Sequence, residues 1–191
     1  MSGGDDGGEV LAEVHCSAGA LLLCRPHQSR DVAMHALLND APTMLPHLSM
    51  LCPISHDDST SRRVRHRAEA AASTSCMLDV VLGKTGELIG STGFRVVEYG
   101  ASSAEWGIIV SKAWQRKGVC AACFTACLEV ATTTLNVRNL TASTIAENES
   151  MLAFFKRRGV PQTGLHTDDE TGVEWLVFGA PLDNLASGSV L

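Results

Sequence analysis

A short basic turn is the segment of this sequence best suited to bind an anion. It lies between an apolar run typical of a strand, residues 104–110, and a helix-like run rich in alanine and cysteine, residues 118–133. A glycine turn at a helix N-terminus presents backbone N–H groups, which bind phosphate oxygens without a metal. The sequence therefore predicts a pyrophosphate site. Its residues are Gln115, Arg116, Lys117, Gly118, Val119 and Cys120. The same residues also fit an exposed basic turn that only begins a helix.

Three cysteines follow on one face of that predicted helix. Cys120, Cys123 and Cys127 have the i, i+3, i+7 spacing of helix neighbours. They could form a metal or redox site, or pack as small hydrophobic side chains. No second cysteine pair has zinc-finger spacing, which favours packing. We therefore expect no metal.

The composition indicates a globular protein. Hydrophobic residues make up 45% and charged residues 19% of the 191 residues, and the net charge is −6. An acidic chain argues against nucleic-acid binding and suits a cationic acceptor such as an amine. The seven cysteines are odd in number, the N-terminus is acidic and glycine-rich, and no apolar run is long enough for a membrane span. We expect a cytoplasmic protein with reduced thiols and no membrane partner.

The hydrophobic patterns predict one domain over residues 19–181, with flexible tails at 1–18 and 182–191. The predicted order is β-α-α-β-β-β-α-β-α-β-β, an α/β (α+β) arrangement in which helices flank a mixed sheet. Residues 39–58 contain prolines and are predicted to form a long irregular loop. Asn148 is predicted to cap the helix at 149–158, and Gly159 to end it.

The second predicted helix, residues 59–75, carries a basic cluster. Its apolar positions, Val64 and the alanines at 68, 71 and 72, are expected to face inward. The cluster is expected to be a solvated helix face, although contact with an anionic partner is an alternative. Its members are Arg62, Arg63, Arg65, His66 and Arg67.

At four points in order, the chain resembles the GCN5-related N-acetyltransferase (GNAT) superfamily. Within it, the chain is similar to the branch of ribosomal-protein alanine and polyamine acetyltransferases. The matching segments are the opening run 22–26 with Asp31, the strand 105–110, the turn 115–120, and the Asn148–Phe155–Gly159 motif. The resemblance implies a single-domain fold with a mostly antiparallel sheet and acetyl-CoA as cosubstrate. It also implies transfer of acetyl to a primary amine.

The resemblance also implies a cofactor site. The main chain of Ile108 and Val110 would pair with the pantetheine amides, residues 115–120 would hold the pyrophosphate, and Asn148 would touch the pantetheine arm. Phe155 is assigned to this site too, where many relatives carry a tyrosine that can protonate the CoA thiolate. Phe155 has no such proton, which leaves open a noncatalytic acyl-CoA-binding module as the alternative function.

Amine acetylation needs a base, because only the neutral amine attacks the acetyl carbonyl. Glu105 is the first candidate, because on an alternating strand it shares a face with Gly107 and Ile109. Ser150 is a second candidate catalytic residue. It is adjacent to Met151, which stands at a position where this branch often has serine. The acceptor is expected to be a protein N-terminus or a small amine, and the protein a monomer or homodimer.

Overall fold

The computed structural model describes residues 8–48, 52–169 and 171–186. It contains an eight-stranded sheet in the order β1-β2-β3-β4-β5-β6-β8-β7. The strands are β1 Val10–Cys16, β2 Gly19–Cys24, β3 Cys76–Leu82, β4 Leu88–Glu98, β5 Ser103–Val110, β6 Asn139–Ile145, β7 Gln162–Thr167 and β8 Glu174–Pro181. The α-helices are α1 Asp31–Leu38, α2 Ala41–Leu48, α3 His56–Ala71, α4 Val119–Thr133, α5 Glu149–Arg157 and α6 Leu182–Ala186.

The sheet is antiparallel except where β5 runs parallel to β6. The mixed, mostly antiparallel sheet with flanking helices confirms the predicted fold class. A large core joins one face of the sheet to α4 and α5, with Phe94, Trp106, Phe124 and Leu140 at its centre. A smaller core packs α1 and α2 against the sheet through Met34, Leu38, Met44 and Ile109. The sheet therefore separates two surfaces that can carry different parts of a site.

Both predicted tails are wrong where the structure describes them. Residues 10–16 form β1, an edge strand paired with β2, and residues 182–186 form α6 with Leu182 buried. The sequence analysis did not predict β1 because Glu13 and His15 interrupt its apolar residues. The alternate residues Val14 and Cys16 pack on the core. Residues 1–7 and 187–191 lie outside the described residues.

The predicted loop at 39–58 is also wrong in part, since it contains α2 and the start of α3. The hydroxyl of Ser55 accepts a hydrogen bond from the backbone N–H of Asp58, so α3 begins at His56, three residues before the predicted start. Val64 is 54% exposed, and residues 68, 71 and 72 are exposed as well. The inward face of α3 carries Ser59 and Arg63 instead.

The caps of α5 agree with the prediction. The Asn148 side-chain oxygen accepts a hydrogen bond from the backbone N–H of Met151 at 3.2 Å. Gly159 has φ +66° and follows the helix. Among the described residues, no helix is long and apolar enough to cross a membrane.

Candidate active site

The parallel strands β5 and β6 separate after a short stretch of pairing. Only Ser103, Ala104 and Glu105 pair with β6, at Asn139, Leu140 and Thr141. Beyond that point β5 continues to Val110 beside β4, whereas β6 continues to Ile145 beside β8. A wedge therefore opens between the two strands. Ile108 and Val110, which the sequence analysis assigned to the cofactor site, lie on the stretch of β5 that borders this wedge.

The predicted anion-binding turn follows directly at the wide end of this wedge. A 3₁₀ turn over Lys112–Trp114 leads into it, and the Gln115 side-chain amide donates to the carbonyl of Val110 at 2.9 Å. Arg116 has φ +61° and Gly118 has φ +79°, so the backbone curls before α4 begins. No side chain caps α4 at Gly118. Its first-turn N–H groups therefore have no intrahelical partner and are suited to bind an anion.

The loop between β1 and β2 supports that turn from behind. The Ser17 hydroxyl donates to the Lys117 carbonyl at 2.7 Å, and a Cβ atom on Gly118 would lie 3.3 Å from the Cys16 Cβ. The Lys117 ammonium lies 4.4 Å from the centre of the Trp114 ring, which keeps a positive charge at the turn. Sequence reasoning missed this support because it treated residues 1–18 as a tail.

The α4 cysteines are thiols in an apolar setting. Cys123 and Cys127 are fully buried, and Cys120 is half-buried. Burial raises the pKa of Cys120 and of Cys127 to about 12, and raises the pKa of Cys123 as well. A protonated thiol is a poor nucleophile and a poor metal ligand. Among the described residues, no group of three or more His, Cys, Asp or Glu side chains is placed to hold a metal.

We predict that the protein purified without affinity metal contains much less than one zinc or iron per chain, because thiols of raised pKa do not ionise near neutrality. Elemental analysis by mass spectrometry measures this directly. One metal per chain that disappears in Cys123→Ser, but persists in Cys52→Ser, would contradict the packing interpretation.

A cavity lies on the sheet face opposite α4. Its empty volume, which opens to solvent, is about 800 Å³. Gly107 and Ile108 of β5 and Ser143 of β6 line it, so it reaches into the wedge from the side of α1 and α3. Apolar side chains of α1 and Trp175 of β8 form much of the wall. We call this cavity the acceptor cleft, because a second reactant can enter here opposite the anion-binding turn.

Glu105 lies at the closed end of the wedge and forms an ion pair with Arg95. Its side chain is 25% exposed. The Arg95 side chain extends over Gly107 and lines the acceptor cleft. The face predicted for Glu105 is therefore the face of Gly107 and Ile109, which line the cleft; Glu105 does not line the cleft itself but pairs with Arg95, which does. Ser150 is exposed in the first turn of α5 and is not among the cleft-lining residues.

The last two residues assigned to the cofactor site are Asn148, which caps α5, and Phe155, which lies within it. Besides capping the helix, Asn148 donates from its side-chain amide to the hydroxyl of Thr144, a buried residue of β6, at 3.0 Å. This bond fixes the start of α5 against one wall of the wedge. Phe155 is 1% exposed and stacks on Phe178 with ring centres 4.5 Å apart. The structure places Phe155 in the aromatic core beside Trp106.

A buried charge network was missed by the sequence analysis. Asp79, in the middle of the apolar strand β3, is fully buried and accepts hydrogen bonds from Arg63 at 2.6 and 2.9 Å and from Arg30 at 2.8 Å. Arg63 and Arg67 also bond to Asp31 of α1. The expected solvated face of α3 is thus wrong at Arg63, which is 2% exposed. An aspartate inside the run CMLDVVL was the available signal, since a buried carboxylate needs a partner.

This network positions the wall of the acceptor cleft that α1 and α3 form. It ties α3 to β3 through Arg63 and α1 to α3 through Asp31. Burial opposes ionisation of Asp31, but hydrogen bonds from Arg67 and Arg63 outweigh it and lower the pKa of Asp31. The carboxylate therefore stays charged at neutral pH and holds both helices in place.

Comparison with known families identifies the arrangement. A model of the acetyltransferase (GNAT) domain matches residues 21–160. The chain belongs to this GNAT family. It is an N-acetyltransferase that takes the acetyl group from acetyl-CoA and transfers it to an amine. None of the proteins with curated functions matches the sequence.

Solved structures share the GNAT fold. RimJ of Mycobacterium smegmatis, in complex with a CoA disulfide, is 18% identical with a TM-score of 0.78, and the match covers 95% of each chain. Spermidine N-acetyltransferase of Vibrio cholerae, with CoA and spermine, is 16% identical (TM-score 0.75; 86% of this chain, 97% of the other). An acetyltransferase of Salmonella typhimurium that modifies the N-terminal serine of ribosomal protein L7/L12 is 15% identical (TM-score 0.75; 88% and 99%).

Proposed function

We propose that acetyl-CoA lies along the wedge between β5 and β6 and that its acetyl group meets a primary amine in the acceptor cleft. The observation that carries this proposal is that the wedge joins the uncapped start of α4 to the cleft. Ile108 and Val110 would pair with the pantetheine amides, and Asn148 would border the same arm. The N–H groups of residues 116–120 would bind the pyrophosphate.

In this proposal, different residues of the chain bind the diphosphate and accept the proton of the amine. The helix dipole of α4, with Arg116 and Lys117, balances the charge of the diphosphate. Glu105 would accept the proton of the attacking amine, directly or through water. Cys120 and Val119 supply backbone N–H groups rather than side-chain chemistry, and Phe155 closes the aromatic floor under the wedge. Ser150 remains a candidate on the rim of α5.

The acceptor is proposed to be a protein N-terminus or a small amine, as for the acetyltransferases of Salmonella typhimurium and Vibrio cholerae named above. Within the described residues no two cysteines form a disulfide, which supports a cytoplasmic enzyme. An acceptor screen tests the function: thiol release from acetyl-CoA is followed with peptide and small-amine acceptors, and the products are identified by mass. Binding of acetyl-CoA without turnover over a broad panel would instead support a noncatalytic acyl-CoA-binding module.

We predict that Gly118→Val weakens acetyl-CoA binding by about ten- to a hundredfold, the value of one charge-assisted hydrogen bond. A valine at φ +79° is strained and meets the Cys16 Cβ, so the turn must shift and its N–H groups leave their positions. Isothermal calorimetry measures the affinity.

Gly172→Val is the matched control for Gly118→Val. Gly172 has φ +68° and lies in the turn between β7 and β8, with no atom within 4 Å of a Cβ built on it. A valine at position 172 has the same backbone strain, but it lies far along the chain from the anion-binding turn. Unchanged CoA affinity in a folded Gly118→Val protein would contradict the placement of the pyrophosphate.

A further inference from the structure

Three arginines and a histidine are among the residues that line the acceptor cleft. Arg62, Arg63 and His66 reach it from α3, and Arg95 reaches it from β4. Burial, together with Arg62, Arg63 and Arg65, lowers the pKa of His66 to about 4, so this histidine is neutral at pH 7. Burial is the largest cause of that shift, and the neighbouring arginines add to it. The protein as a whole is acidic, so the cleft differs in sign from the net charge.

The carboxylates around the cleft are already paired with arginines. Asp79 and Asp31 bond to Arg63, and Glu105 pairs with Arg95. Arg62 is different: within residues 8–48, 52–169 and 171–186 its side chain has no hydrogen bond or ion pair. Burial, Arg65 and Arg95 lower the pKa of Arg62, as expected for a half-buried cation among cations. Such a cation is costly to keep without a counter-ion.

We propose that the acceptor carries an anionic group, a carboxylate or a phosphate, close to its primary amine, and that Arg62 binds this group in the acceptor cleft. The proposal rests on the acetyltransferase function given above. A guanidinium suits both anions, because its planar N–H groups bond to two oxygens at once. Trp175 and the apolar wall leave room for the carbon chain that joins the anion to the amine.

The same charges act on the reacting amine. Positive neighbours disfavour the ammonium form, so Arg62 and Arg95 lower the pKa of an amine held between them and the wedge. The neutral amine is the form that attacks acetyl-CoA. An acceptor with a second ammonium group gains nothing from these arginines and is repelled by them. A polyamine is therefore a poor acceptor for this cleft.

The test compares acceptors of similar length whose second functional group is anionic, neutral or cationic. The small series is 4-aminobutanoate, 4-aminobutanamide and 1,4-diaminobutane, and 2-aminoethyl phosphate is compared with 2-aminoethanol. The peptide series begins Ser-Asp, Ser-Asn or Ser-Lys, with the remaining residues identical. Thiol release at saturating acetyl-CoA gives kcat/KM for each, and tryptophan fluorescence in the presence of CoA gives the dissociation constant.

The anionic member of a series is expected to exceed the neutral member by about ten- to a hundredfold in kcat/KM, the value of a hydrogen bond to a charged group. The series that shows the larger preference tells whether the anion belongs to a peptide or a small molecule. Arg62→Gln should remove the preference and leave the affinity for CoA unchanged. Arg65→Gln is the matched control, because Arg65 is exposed and paired with Glu69 one turn away.

Three results would overturn the proposal: an equal or higher rate with the diamine, an anion preference that survives in Arg62→Gln, or a loss of CoA affinity in Arg62→Gln as large as the loss of acceptor affinity. Absence of turnover with every acceptor would count against the acetyltransferase function itself. The fluorescence titrations would still decide the inference in that case, because equal affinity for the anionic and neutral members of both the small-molecule and the peptide series refutes it without any reaction.

Discussion

Glu105→Gln is expected to lower kcat/KM at neutral pH by about 10²- to 10⁴-fold, the usual contribution of a general base. The glutamine keeps the shape of the side chain but cannot accept the amine proton. Acetyl-CoA affinity should barely change, because the carboxylate lies on the cleft face, away from the anion-binding turn. The loss should shrink at high pH, where more of the amine is already neutral. Thiol release with the best acceptor, followed from pH 6 to 10, measures both effects.

The ion pair with Arg95 supplies a sharp control for the Glu105 prediction. If Glu105 only positions Arg95, then Glu105→Gln, Arg95→Gln and the double variant should lose the same activity, and none should change the pH profile. A base at Glu105 instead gives Glu105→Gln a pH profile that Arg95→Gln lacks. Glu98→Gln serves as a second control, since Glu98 is an exposed carboxylate at the end of β4. Wild-type rates in Glu105→Gln at every pH would refute the assignment.

Asp79→Ala is expected to lower the free energy of unfolding by about 3–5 kcal/mol, the cost of breaking a buried ion pair by removing one partner. Arg30 would then lose its carboxylate partner, Arg63 would keep only Asp31, and α3 would lose its anchor on β3. Urea denaturation followed by circular dichroism measures the change. For comparison, Arg25→Ala removes the pair between Arg25 and the exposed Glu9, and should cost about 1 kcal/mol or less.

A double variant separates the pair from the packing around it. Asp79→Leu with Arg63→Met replaces both charges by apolar groups and should recover part of the stability lost in Asp79→Ala, because only Arg30, whose side chain is 12% exposed, then lacks its carboxylate partner. If Asp79→Ala alone cost no more than Arg25→Ala, the network would contribute nothing to the attachment of α3. The acceptor cleft would then depend on apolar packing alone.

The strand, turn and helix around the cofactor site were predictable because each has a local signal. The apolar run of β5, the glycine at 118 and the Asn148 cap act within a few residues of chain, and the structure has these elements in place. The same holds for the order of the strands from β3 to β8. The resemblance added what local signals lack, namely that the strands form one mostly antiparallel sheet.

The wall of the site that α1 and α3 form was not predictable from local signals. Arg63 faces inward only because Asp79, sixteen residues later and on another element, lies beneath it. Apolar periodicity assigned the opposite face of α3, since it treats every arginine as exposed. The pairing of Glu105 with Arg95 likewise depends on the irregular register between Phe94 and Val96 of β4. Such contacts depend on tertiary packing, which a single sequence does not reveal.

The contact between Ser17 and Lys117 has a practical consequence for anyone who shortens this chain. Starting the protein at Gly19 would trim what looks like an unstructured leader, yet it would delete β1 and the hydroxyl that braces the phosphate turn. It would also leave β2, with the sequence GALLLC, as the uncovered margin of the sheet. An apolar strand with free N–H and C=O groups recruits other strands and aggregates. Poor solubility and weak cofactor retention would then have one common origin, in residues outside the proposed cofactor site.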